Sequence, residues 1–115
     1  MKQINDTSMA ITLFIDAAVK HSKATEEGDY KTGNKCYNII VEAANFLKSK
    51  NSLDKLESLT GDASIGVRLW AAAYLLPLNE KKAIETLKAI INSGGIHAMT
   101  AEVTLNEWKN GNLKL

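Results

Sequence analysis

Cysteine and proline are almost missing from this chain. Among 115 residues there is one of each, Cys36 and Pro77. A single thiol cannot close an internal disulfide or supply the paired cysteines of a structural zinc site. A reducing, cytoplasmic setting is therefore expected. Charge of one sign is also lacking. Fourteen basic and 13 acidic side chains leave a formal charge of +1. Proteins that grip nucleic acid through its phosphates carry a marked basic excess, so nucleic acid is not an expected partner. Long apolar runs are missing too. The longest, Leu69 to Leu78, is about half of what a membrane crossing needs. It reads as a buried helix, and no membrane partner is expected. The opening Met1-Lys2-Gln3-Ile4-Asn5-Asp6 lacks the basic-then-apolar layout of a signal peptide. Strand signals are absent as well: no sustained period-two alternation, and no Asn-Gly turn between β-branched runs.

What remains is ordinary globular material. Apolar residues make up 45% and charged residues 23%, which fits one folded domain over residues 1–115 and does not fit disorder. The periodicity is helical throughout. A first helix is expected from Asp6–Ser8 to Gly28, with Ile11, Phe14, Ile15 and Ala18 inward and Asp16, Lys20 and Lys23 outward. A second starts between Asp29 and Asn34 and carries Tyr37, Ile40, Val41, Ala44 and Leu47, with Lys48 to Asn51 as connector. Ser52 caps a short third helix bearing Leu53, Leu56 and Leu59, and Gly61 ends it. The fourth, Ile65 to Leu76, is capped by Asp62 or Ser64 and is apolar nearly all round, so it should sit at the centre. Asn79 caps a fifth helix with Ala83, Ile84, Leu87, Ile90 and Ile91 inward and Lys81, Lys82, Glu85 and Lys88 in water. After Gly94-Gly95, a sixth helix runs from Ile96 to Lys109 with Met99, Val103, Leu105 and Trp108 as its buried set.

An internal repeat joins these elements. At one common offset Leu53, Leu56, Leu59, Ile65 and Ala72 match Ile84, Leu87, Ile90, Ile96 and Val103. Helix pairs at about 52–78 and 79–111 follow, and neither can bury its apolar face alone.

Residues 61–76 hold Asp62, the pair Val67-Arg68 and the small residues Ala71-Ala72. In this they resemble the second helix of a HEAT-type repeat. The C-terminal half, closing on Leu105, Trp108 and Gly111, resembles a bacterial family of small HEAT-like helical proteins that includes immunity proteins of contact-dependent toxin systems. Ala98-Met99 stand where the second repeat would carry Val-Arg, which suits a terminal, capping pair. The resemblance implies an all-α fold: about six helices in HEAT-like antiparallel pairs, forming a short α–α superhelix or bundle. It implies that Arg68 pairs with Asp62. It also implies a cognate bacterial toxin domain as the partner, bound and neutralised by occlusion of its active site.

Catalytic signals are sparse. His21 and His97 lie far apart in sequence, without the spacing of metal ligands or a general-base pair, and both read as surface histidines. No hydrolase signature surrounds Cys36, which reads as a packing group. Gly94-Gly95 is followed by Ile96-His97 and so is a helix-to-helix turn, not a phosphate loop. Neither an enzyme, a cofactor nor a metal site is expected. Trp70, Tyr74 and Trp108 suit the core. Candidate partner-binding residues are Glu26, Glu27 and Asp29, an acidic helix end able to steer a basic partner; Tyr30 and Tyr37, amphipathic anchors; and Arg68 and His97. A small helical nucleic-acid-binding or scaffold domain is the alternative reading.

Overall fold

The computed structural model describes residues 3–113. Met1 and Lys2, part of the N-terminal segment read above, lie outside the described residues, as do Lys114 and Leu115. The described chain is all-α, with five α-helices and one 3-10 helix and no strand among the described residues. It divides into two compact units, Met1–Lys55 and Leu56–Leu115.

The first unit is a helical hairpin of α1 (Thr7–Glu27) and α2 (Tyr30–Ser49). Asp6 starts α1: its carboxylate accepts the Met9 amide at 2.7 Å, satisfying one donor that the first turn leaves open. Gly28 stops it. Its left-handed φ of 70° lets Asp29 N–H donate back to Ala24 O at 2.9 Å, closing the helix end. Asn51 does the same for α2 at φ 52°, with Ser52 N–H donating to Leu47 O. Asparagine tolerates this conformation better than other residues bearing a Cβ. The buried faces consist of Ala10, Phe14, Ala17, Ala18 and Ala24 on α1 and Cys36, Ile40, Ala43, Ala44 and Leu47 on α2. They are mostly small residues, which allow close helix approach, around Phe14, Ile40 and Leu47. The face of α1 is centred on alanines rather than on Ile11 and Ile15, which are only half-buried.

A 3-10 helix, Leu53–Gly61, runs across the division. Leu53, Leu56 and Leu59 are all buried. Their strict spacing of three lines up at three residues per turn but would drift around an α-helix. Ser52 does not cap this segment; its hydroxyl donates to Lys50 O at 3.1 Å.

The rest of the second unit is α3 (Ile65–Leu75), α4 (Glu80–Ser93) and α5 (Ile96–Lys109). α3 packs against both α4 and α5 and buries Gly66, Val67, Leu69, Ala71, Ala72, Ala73, Tyr74 and Leu75. It is the centre of this unit, as its apolar composition requires. It stops at Leu75, two residues before Pro77, where a continued helix would clash. Asn79 caps α4 by accepting the Lys82 amide, and Ala83, Thr86, Leu87 and Ile90 turn inward. Glu80 in the first turn of α4 accepts a hydrogen bond from the Trp108 indole at 2.7 Å, tying the start of α4 to the end of α5.

α5 is rotated from the expected orientation. Its buried residues are His97, Ala98, Ala101 and Leu105, while Met99 and Val103 are 69% and 59% exposed. Two apolar sets compete for the inward face, and the one containing two alanines wins because small side chains let the helix approach its neighbours closely. The repeat therefore holds unevenly. Leu56/Leu87 and Leu59/Ile90 are buried in both copies, whereas Ala72 is fully buried and its counterpart Val103 is not.

Candidate functional site

The α1–α2 turn gathers four of the seven candidate residues. Glu26 and Glu27 end α1, Asp29 caps α2 and Tyr30 opens it; all four are exposed. Asp29 accepts both the Thr32 hydroxyl, at 2.7 Å, and the Thr32 amide, at 3.1 Å. These two donors stabilise the charged form and hold its carboxyl below the ordinary value of 3.8. The carboxylate is thus fixed at the start of α2, where the helix dipole also favours negative charge. Tyr30 is 83% exposed. Tyr37 follows seven residues later, about two turns along the same side of α2, and is 48% exposed. Together these residues make a tip with carboxylates beside an open phenol ring, and a second tyrosine further up the helix. Such a surface suits contact with protein: tyrosine offers apolar area with a polar end at low entropic cost.

Arg68 and His97 belong to the second unit, on α3 and α5. The expected pair between Arg68 and Asp62 is not formed. Asp62 accepts the Ser64 amide at 2.9 Å, a local turn that competes for the carboxylate. Arg68 Nε is buried with no hydrogen-bond partner among the described residues. His97, read as a surface residue, is buried at 8% exposure because the inward rotation of α5 carries it into the packed face. His21, also read as a surface residue, is half-buried.

The thiol of Cys36 is 4% exposed. Burial pushes its pKa above the ordinary 9.0, against the opposing pull of Lys20. A protonated, enclosed thiol does not act as a nucleophile at neutral pH. Among the described residues no group of three or more His, Cys, Asp or Glu could hold a metal ion, and no helix is long and apolar enough to cross a membrane. Trp70 and Tyr74 stack at 6.4 Å between ring centroids; Tyr74 is buried and Trp70 half-buried.

Sequence reasoning missed the outward set on α5. Ile96, Met99 and Val103 are 47%, 69% and 59% exposed. The signal was present in the sequence: α5 carries two apolar stripes, and a helix packed from one side buries only one of them.

The crystal structure of the protein RPA1889 from Rhodopseudomonas palustris CGA009 superposes on this chain with a TM-score of 0.87 at 26% sequence identity, over 98% of this chain and 99% of that one. No curated protein matches the chain. The family match extends through both compact units, over residues 9–108, and the chain belongs to the family described as domain of unknown function DUF2019.

Proposed function

We propose that this chain is a protein-binding module, and specifically an immunity protein that neutralises a cognate bacterial toxin domain by covering its active site. The observation that carries the reading is the tip of the first unit, where Tyr30, 83% exposed, stands beside the exposed carboxylates of Glu26, Glu27 and Asp29. Anchors of this type concentrate binding energy in a few residues, and the carboxylates suit a partner surface bearing lysine or arginine. With a formal charge of only +1, attraction must come from local patches, since the chain has no strong overall field. The resemblance of the C-terminal half to HEAT-like immunity proteins supplies the toxin. Binding to nucleic acid has less support: on α4 the exposed Lys81, Lys82 and Lys88 share their helix with exposed Glu85, which interrupts a basic stripe.

The test is co-expression with the products of neighbouring genes, followed by reconstitution of any complex from purified components. A stable stoichiometric complex with a toxin domain, weakened about tenfold or more by replacing Tyr30 and Tyr37 with alanine, is the expected result. Recovery of nucleic acid without a protein partner would sink the reading.

A further inference from the structure

Ile96, Met99 and Val103 follow one another at spacings of three and four on α5, so they form one stripe along about two turns. All three are large apolar side chains, each about half exposed or more. Carboxylates border the stripe. Glu102, exposed, lies three residues beyond Met99, and Glu107, half-buried, lies four beyond Val103; both spacings place neighbours on a helix surface. Thr100 and Asn106 are the other exposed residues of α5 between Ile96 and Glu107. No lysine or arginine occurs on α5 before Lys109.

We propose that this stripe seats a basic amphipathic helix of a protein partner. A straight ridge on a helix packs most readily against the groove of another helix, read out as apolar anchors at i, i+3 or i+4, and i+7. Lysine or arginine flanking those anchors would meet Glu102 and Glu107. A second copy of this chain fits less well, because pairing α5 with itself sets the same carboxylate border against its own image, and facing like charges are costly. An anionic lipid surface or a phosphate backbone meets the same repulsion. The inference deepens the protein-binding reading above and rests on it, placing part of the contact on α5 of the second unit.

The test uses the full chain and a fluorescent synthetic peptide: an amphipathic helix with leucine anchors at these spacings and lysine and arginine flanks. The control is the same peptide with glutamate flanks. Anisotropy should show saturable binding of the basic peptide and at least about tenfold weaker binding of the acidic one. Met99→Asp should weaken the basic peptide about tenfold or more, and Val103→Asp should do the same. Both sites are exposed, so the helical circular dichroism of these variants should be unchanged. Joint replacement of Glu102 and Glu107 by lysine should reverse the charge preference. Equal binding of both peptides, no binding, or binding indifferent to Met99→Asp overturns the inference. So does self-association by sedimentation that Met99→Asp abolishes, which assigns the stripe to a second copy. α5 variants that lose the peptide yet still neutralise the toxin overturn this inference alone. Peptide binding that persists in a chain unable to neutralise any toxin overturns the immunity reading alone.

Discussion

Asp29 does two things at once: it ends the α1–α2 turn and supplies a fixed carboxylate at the proposed contact surface. Its pKa is lowered in the folded state by the Thr32 hydroxyl and amide, so its contribution to stability is complete above the ordinary value of 3.8. That contribution is lost as the pH falls through the lower folded value. Thermal melts across the acid range should show this loss, and Asp29→Ala should lower the melting temperature at neutral pH and flatten its acid dependence. Gly33 gives an opposite case. It lies inside α2 without positive φ, and a Cβ added there meets only Ala24 Cβ at 3.9 Å, an ordinary contact. Gly33→Ala should therefore stabilise the chain by about 0.5–1 kcal/mol in denaturant titrations. A destabilised variant would mean that α2 needs the glycine for a reason its packing does not show. Cys36, buried and held protonated, should react with a disulfide reagent only slowly in the folded chain and promptly in denaturant, as absorbance of the released thiolate reports.

At the level of elements, helix boundaries were the most legible part of the sequence. Asp6, Gly28, Asn79, Gly94 and Gly111 stand where they were read, because capping and left-handed closure are local chemistry that a few residues decide. Which face a helix buries was less legible. α3 was readable because it is apolar on every side. α5 was not, because two sets of its residues compete for the inward face, and close approach of neighbouring helices selects the one with two alanines. The 3-10 character of Leu53–Gly61 lay in the unbroken spacing of three between its leucines, a pattern easily taken for a short α-helix. At the candidate site, the acidic tip and its tyrosines were legible as polar and aromatic residues near a helix end. The Arg68–Asp62 pair and the surface placement of His97 did not hold, since a carboxylate taken up by a local turn and a rotated helix that buries His97 leave no mark in spacing alone. The rotation of α5 has a direct consequence. Leu105→Ala should cost about 2–5 kcal/mol, whereas Val103→Ala should stay within about 0.5 kcal/mol. Equal costs in chemical denaturation would contradict the observed orientation.

On the scale of the whole chain, the formal charge is only +1 and the single thiol is buried. A partner drawn by a few carboxylates feels attraction only near contact, because exposed charges are screened within about 8–10 Å at physiological salt. Complex formation should then depend only moderately on ionic strength, and affinity should reside in anchors such as Tyr30 and Tyr37. The most direct measurement is the activity of a candidate toxin domain, purified from the product of a neighbouring gene and titrated with the chain itself. Activity should fall to nothing at a stoichiometric ratio and return when Tyr30 and Tyr37 are both replaced by alanine. Toxin activity unchanged by saturating amounts of the folded chain would contradict the immunity reading.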